Sequence, residues 1–130
     1  MTIRLRIPAV VACRRGASTI ELAISLTALI GFLFGIINIG LVLWTFGSLY
    51  YAAEAAARCA SVDSTSCGNA TAIQNYALAQ YYGQSLGGTN PFSYSASGCG
   101  HTVTARYTYS LSIPLYGSYT LPLSAAACFP

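Results

Sequence analysis

Residues 14–22 read Arg-Arg-Gly-Ala-Ser-Thr-Ile-Glu-Leu, and they lead into a long apolar stretch. No charged residue occurs from Leu22 to Ala53, a run of 32 residues. Because a helix of about 20 apolar residues crosses a bilayer, this run is long enough to span a membrane. The carboxylate of Glu21 at its mouth is unexpected, since an acid at the centre of a membrane helix costs about 2.5–3.5 kcal/mol. The acid therefore indicates a role beyond plain anchoring.

The composition also favours a membrane or filament protein. Of the 130 residues, 55% are hydrophobic and 7% are charged, which argues against a free soluble enzyme. The formal net charge is +3, but four of the six arginines lie at or before residue 15. The chain after residue 16 keeps two arginines against three acids, a net charge of −1. No basic patch remains there, so we expect no nucleic-acid partner.

The order of residues 14–21 resembles the processing site of type IV prepilins, which has a short basic leader, a glycine, a cut, four residues and a glutamate. The resemblance is closest to the TadE-like minor pilins, or pseudopilins, of the tight-adherence (Flp) system. It continues to about residue 60 through FGIINIG at residues 34–40 and YAAEAAAR at residues 51–58. Two features depart from the family pattern: Leu22 stands where an aromatic residue is common, and the frequent early-helix proline is absent.

The resemblance implies that residues 1–16 are a leader, which prepilin peptidase removes by cutting between Gly16 and Ala17. It also implies that Glu21 and the new amine of Ala17 guide the helix into an assembly. The expected partners are prepilin peptidase, other pilin or pseudopilin subunits, an inner-membrane pilus assembly platform and membrane lipid. The size argues for a minor subunit, because the major subunits of such systems are little more than the helix.

The predicted long helix covers residues 17–60, with the membrane span at about residues 22–43. Arg14 and Arg15 are the leader charges, and positive residues hold the end that precedes a span in the cytoplasm. We therefore expect a single pass through the inner (cytoplasmic) membrane with a cytoplasmic N-terminus. Residues 61–130 then form a small domain on the periplasmic or extracellular side, and a place at the filament tip, in the shaft or in the membrane alone stays open.

One face of the predicted helix carries small residues and an amide. Ala28, Gly31, Gly35 and Asn38 are spaced three, four and three residues apart, as one helix face requires. Small residues let membrane helices approach closely, and an asparagine can form a hydrogen bond across them. We interpret these four residues as a helix-packing face.

The chain after residue 60 predicts an α+β fold. A second helix is expected at residues 70–82, with Asn69 or Thr71 as its cap. From Phe92 the hydrophobic period changes to two, which indicates a small antiparallel sheet packed on the alanine-rich end of the long helix. Its inward residues are expected to be Phe92, Tyr94, Ala96, Val103, Ala105, Tyr107, Tyr109, Leu111, Ile113, Tyr119, Leu121, Leu123 and Ala125. A long membrane-spanning helix followed by a small helix and sheet is the pilin-like architecture that the resemblance implies.

Four of the five cysteines follow the apolar run, and an even number in a small exported domain indicates a disulfide framework. These cysteines are Cys59, Cys67, Cys99 and Cys128. Four cysteines allow three connectivities. We favour the one in which the first pair closes a short polar loop and the second ties the start of the sheet to the C-terminus.

The favoured second pair raises a problem of strand register. If Tyr107 opposes Tyr119 or Leu121, then Cys99 and Cys128 fall on opposite faces of the sheet, because side chains alternate. A bulge beside Cys99, or a strand that ends before Cys128, would bring the two sulfur atoms together.

No catalytic constellation is visible. His101 is the one histidine, and the three acids are scattered, so we expect neither enzymatic activity nor a cofactor. A zinc site at Cys99 and His101 lacks the usual ligand spacing. Two other classes of protein stay open. One is a single-pass anchored domain that binds an envelope partner without polymerising. The other is a secreted protein, although its apolar run exceeds the roughly 7–15 residues of a signal-peptide core.

Processing gives the first testable prediction. We expect the mature protein to lack residues 1–16, which leaves 114 of the 130 residues. Gly16→Leu should block the cut, because it removes the small residue on which cleavage depends. Intact-mass measurement on membrane fractions checks both statements. Normal processing of Gly16→Leu would contradict the assignment, a mature start at Met1 would favour the anchored domain, and a start at residues 54–56 would favour secretion.

Overall fold

The computed structural model describes residues 14–113 and 117–130, with side chains from Ser18 onward apart from Ser97. The elements are α1 (Arg14–Val62), α2 (Ala70–Gln80), β1 (Phe92–Ser97), β2 (Gly100–Ile113) and β3 (Gly117–Phe129). This order confirms the α+β fold class. Most of the expected leader, residues 1–13, lies outside the described residues. The backbone divides into two units, one up to Ile37 and one from Asn38 onward, and each is described by itself.

The first unit is helical over its described part. Every residue from Ser18 to Ile37 is exposed, although most are apolar. A helix that is apolar on all sides is normally covered by lipid or by other protein. The exposed surface of this segment therefore needs a covering that its own unit does not supply.

The second unit is built on the last turns of α1, where one face becomes buried. Its fully or nearly fully buried residues recur every three or four positions and are mostly small: Thr45, Ser48, Leu49, Ala52, Ala53, Ala56 and Ala57. This spacing is that of a single helix face. Alanine favours the helix and its short side chain lets other elements approach the backbone, while burial of Leu49 contributes about 1.5–3 kcal/mol.

α2 begins with a capped turn and ends earlier than the sequence predicted. The side chain of Asn69 accepts a hydrogen bond from the backbone N–H of Ala72 at 2.8 Å, as an N-cap does. The helix was expected to reach residue 82 but stops at Gln80. The reason is a long-range contact, because the N–H of Tyr82 donates to the hydroxyl of Ser48 on α1 at 3.0 Å. Local sequence does not contain that partner.

The sheet is an antiparallel meander in the order β1-β2-β3. Tyr107 opposes Leu123, two residues beyond Leu121 and four beyond Tyr119, the partners considered for it in the cysteine register. Tyr109 and Leu111 take those two partners instead. All these residues have odd numbers, so their side chains lie on the predicted face of the sheet although the strand pairing differs.

Burial follows the predicted alternation only where another element covers the sheet. Val103, Ala105 and Tyr109 are buried and belong to the same core as the alanines of α1. The remaining buried residues of the core are Cys67, Ile73, Ala77, Phe92, Leu123 and Ala125. Four residues expected to face inward are exposed instead: Ala96, Ile113, Tyr119 and Leu121. Ile113, Tyr119 and Leu121 lie in the half of the β2–β3 hairpin nearest its turn, and Ala96 lies near the end of β1. Alternation predicts the face of a side chain but not whether that face is covered.

The β1–β2 connection removes the register problem of the cysteines. Ser97 pairs with Gly100, so Gly98 and Cys99 form a two-residue hairpin loop. Cys99 thus lies outside the ladder, while Cys128 remains within β3 opposite Thr102. A turn, and not a bulge, brings the two cysteines together.

β3 is an edge strand, since the described sheet places it beside β2 alone. On the other side of β2, Arg106 donates its backbone N–H to the carbonyl of Pro91 at 2.9 Å. Even-numbered residues of β2 therefore turn their backbone polar groups towards β1, and odd-numbered ones towards β3. Pro122 opposes Thr108, so its nitrogen lies on the outer side of β3.

The hairpin glycines give a matched test of the fold. Gly100 has φ +119°, and a Cβ there would overlap the carbonyl of Phe129, whereas a Cβ at Gly98 would meet no atom within 4 Å. Gly100→Ala should lower the free energy of unfolding by about 1–3 kcal/mol, the usual cost of such a backbone conformation. Gly98→Ala should change it little. Thermal unfolding of the full chain in detergent, followed by near-UV circular dichroism, compares the two, and equal effects would contradict this reading of the hairpin.

Candidate functional site

The expected cleavage bond, between Gly16 and Ala17, lies within α1. The described part of this segment is its helical backbone, and the side chains from Arg14 to Ala17 lie outside the description. Proteases act preferentially on exposed, locally irregular chain, so cutting here requires unwinding of the helix. Glycine lowers helix stability by about 1 kcal/mol relative to alanine, so Gly16 makes unwinding easier here than an alanine would.

Glu21 follows Ala17 by four residues, so the two positions share a helix face about 6 Å apart along the axis. Its exposed neighbours include the apolar residues Ile20, Leu22 and Ile24, and the hydroxyl residues Ser18 and Ser25 lie on its helix face. The carboxylate thus stands in a surface that lipid or another helix has to cover. An ionised acid in such surroundings is stable only when it reaches water or a positive partner.

The predicted packing face is exposed, with free space around it, where it carries Gly31 and Gly35. Ala28, Gly31 and Gly35 are exposed, and a Cβ built at either glycine would meet no atom within 4 Å. Asn38 is half-buried and is engaged within the chain. The small residues therefore leave room for the backbone of a neighbouring helix.

The structure contains the two disulfides favoured from the sequence. Cys59 bonds to Cys67 with a Cα–Cα distance of 5.9 Å, and Cys99 bonds to Cys128 with a Cα–Cα distance of 6.4 Å. Both distances fall within the usual range for disulfides. His101 does not join a ligand set with these sulfur atoms, since its Nδ1 lies 2.7 Å from the hydroxyl of Tyr94 and the two rings stack. Within residues 14–113 and 117–130, no cluster of three or more His, Cys, Asp or Glu residues could hold a metal.

An open groove of about 490 Å³ lies where the end of α1 meets the Cys59–Cys67 loop and α2. Its lining includes the charged side chains of Glu54, Arg58 and Asp63. The hydroxyl and backbone N–H of Ser66, with the backbone N–H of Thr65, hold the pKa of the Asp63 carboxyl below its usual value. The carboxylate accepts these N–H bonds at 3.2 and 2.9 Å, so it fixes the turn between the two disulfide-bonded cysteines.

Sequence reasoning missed three residues that hold the second unit together. Thr45 and Ser48 are 0% and 2% exposed, although in the sequence they are simply part of the apolar run. Thr45 donates to the carbonyl of Leu41 at 2.8 Å, whereas Ser48 receives the N–H of Tyr82. Two hydroxyl residues three positions apart, in line with the alanines that follow, were the available signal. Nothing in the local sequence indicated that Tyr82 would meet them.

The comparisons with known proteins point to the helix and not to the domain that follows it. The model of the TadE-like protein family matches residues 16–58, about a third of the chain, from the glycine of the expected cut to Arg58. No curated protein and no solved structure matches the chain. Among the described residues, one helix, Ser18–Val62, is long and apolar enough to cross a membrane by length and composition. Together the match and the helix are consistent with a membrane-anchored, pilus-associated protein.

Asp63 gives a pH-dependent prediction. Because its pKa is lower in the folded state, the carboxylate stabilises the fold above its ordinary pKa of 3.8, and this stabilisation is lost as the pH falls through the lower folded value. Asp63→Ala should therefore lower the melting temperature at pH 6, and the gap from the unchanged chain should narrow as the pH drops below that value. Thermal unfolding across this range measures it.

The matched control is Asp63→Asn, which keeps an acceptor oxygen for Thr65 and Ser66 but removes the charge. It should lie between the other two proteins at pH 6. A gap between the unchanged chain and Asp63→Ala that stays constant down to the lowest pH would contradict the assigned role.

Proposed function

We propose, from the TadE-like segment at residues 16–58, that this chain is a structural subunit, a pseudopilin or minor pilin. Prepilin peptidase would process it, and it would act in the assembly of a Flp (type IVb) pilus or a related secretion apparatus. The observation that carries the proposal is Glu21. It is an exposed acid on an apolar helix whose residues from Ser18 to Ile37 are all exposed.

The charges at the start of the mature helix explain why assembly needs this acid. After cleavage, Ala17 carries a positive amine about 6 Å along the axis from Glu21. In a lone subunit both groups reach the membrane surface and water. In a bundle of helices both are buried among apolar side chains, where removal of one partner of an ion pair costs about 3–5 kcal/mol.

Pairing between subunits removes that cost. The amine of an incoming subunit meets Glu21 of a subunit already in place, and only one axial stagger neutralises both charges. The face formed by Ala28, Gly31 and Gly35 supports the same arrangement, because its open glycines permit close helix contact. The proposed partners are thus other pilin-like subunits, prepilin peptidase, the inner-membrane assembly platform and lipid, with the domain after α1 outside the cytoplasm.

Substitution of Glu21 tests the proposal. Glu21→Ala should be processed and membrane-resident but should enter pili about 100-fold less, which corresponds to roughly 3 kcal/mol. Glu21→Gln should behave in the same way, since it keeps the shape and loses the charge. Glu54→Ala is the matched control, because it removes an exposed acid from the same helix outside the apolar run. Immunoblots of sheared pili and of membranes, with intact mass, give the three readouts.

The outcomes separate the two membrane-anchored classes of protein. Loss of assembly in both Glu21 variants, with normal assembly of Glu54→Ala, supports the pilin-like subunit. Assembly of Glu21→Ala equal to that of the unchanged chain would contradict it. The anchored domain that does not polymerise would then be favoured, with the groove beside Arg58 as its binding surface.

A further inference from the structure

Tyr82, just after the end of α2, completes a cluster of aromatic rings on α1. Tyr82 lies against Trp44, with ring centroids 5.9 Å apart, and against Tyr51, with centroids 5.6 Å apart. Its carbonyl accepts a hydrogen bond from the indole N–H of Trp44 at 3.4 Å, and its own N–H donates to Ser48. The backbone of Tyr82 is thus fixed to α1 on both sides.

The loop that carries Tyr82 is held by its neighbours as well. Tyr81 points the other way, with its ring 6.4 Å from that of Phe92 and its hydroxyl donating to the carbonyl of Gln84 at 2.7 Å. Tyr107 of β2 donates to the carbonyl of Ser85 at 3.3 Å. The position of the Tyr82 ring is therefore set by the fold of the second unit.

The cluster is exposed although its rings are large. Trp44 is 59% exposed, Tyr82 56% and Tyr51 49%, and Tyr50 beside them is exposed too. We call these four residues the aromatic patch. Aromatic rings with one polar edge are the side chains that concentrate at membrane–water interfaces.

The patch is also free of charge. No Arg, Lys, Asp or Glu occurs between residues 22 and 53 or between residues 64 and 105, and these ranges contain the patch and the whole of α2. The nearest charged residues on α1 are Glu54 and Arg58, which line a groove with Tyr51 and follow Trp44 by ten and 14 residues. An uncharged surface of amphipathic rings fits the interface of a neutral lipid bilayer.

The heights of Trp44 and Tyr82 match that interface. The contact of Tyr82 with Ser48 places its backbone about 6 Å beyond Trp44 along the axis. A bilayer is about 40–45 Å thick with a hydrocarbon core of about 30 Å, so each polar interface is roughly 5–8 Å deep. With Trp44 at the edge of the hydrocarbon, Tyr82 falls within that depth, whereas Tyr51, seven residues after Trp44 and about 10 Å along the helix, lies at its outer edge.

We propose that the aromatic patch docks the extracytoplasmic domain onto the lipid interface, so that the domain contacts the bilayer through the Tyr82 loop as well as through α1. The inference rests on the membrane anchoring within the proposed function and does not require polymerisation. It fixes the face of the domain that looks towards the membrane as the one that carries the Tyr82 loop.

The chain has a single tryptophan, which makes the test direct. In phosphatidylcholine vesicles with brominated acyl chains, the emission of Trp44 should be quenched. In a second protein, Trp44→Phe and Tyr82→Trp are combined. The single tryptophan is then at residue 82, and an aromatic ring remains at residue 44. Val62→Trp in the same Trp44→Phe background is the matched control, since Val62 is 77% exposed and lies at the end of α1, about 27 Å beyond Trp44 along the helix. Near-UV circular dichroism checks the fold of each variant, and both substituted residues are exposed enough to accept the larger ring.

The docking predicts quenching of the Tyr82→Trp reporter to a degree comparable with Trp44, a blue shift of its emission, and no quenching of the Val62→Trp reporter. Added salt and anionic lipid should change the result little, because the four rings themselves carry no charge. If Tyr82→Trp is quenched no more than Val62→Trp, or only when anionic lipid is present, the docking is overturned while the anchor stands. Absence of quenching at Trp44 itself would overturn the anchor as well.

Discussion

The apolar surface of α1 has to be removed from water, and the rest of the molecule depends on how this is done. From Thr45 onward, the chain covers one face of the helix with its own α2 and sheet. From Ser18 to Ile37 every residue is exposed within its own unit. A helix that is apolar on all sides is a stable element only inside lipid or among other helices. The low charge of the chain follows from that requirement, and so does the position of Glu21 at the start of the apolar run.

The domain after the apolar run is organised around the smallness of the helix face that it covers. Ala52, Ala53, Ala56 and Ala57 are almost completely buried, so the sheet and α2 approach the helix backbone closely. A domain of this size buries a limited core, and its two disulfides fasten it at the end of the helix and at the opening of the sheet. The core cannot form without the last turns of α1, so the domain and the helix end fold as one unit.

The sequence predicted those features whose cause is local. Residue type and spacing determine the length of α1, the cap at Asn69 and the alternation from Val103 to Tyr109. They also determine the position of Glu21 at the start of the apolar run. The end of α2 could not be predicted, because it depends on the hydroxyl of Ser48, 34 residues away from Tyr82. The exposure of Leu121 and Ile113 depends on where the covering elements stop. No ion pair of Glu21 is found among the described residues, and neither residue type nor spacing indicates what faces its carboxylate.

The edge strand β3 has a consequence for solubility. An edge of 13 residues with free N–H groups is a template on which another extended chain can add. Pro122 lies near its middle and has no N–H to offer, and its nitrogen lies on the outer side of the strand. Proline at such a place is tolerated by the sheet but interrupts the row of donors that an added strand would use. Strand addition is therefore disfavoured where Pro122 interrupts this row, which lowers the tendency of two copies of the chain to aggregate through their sheets.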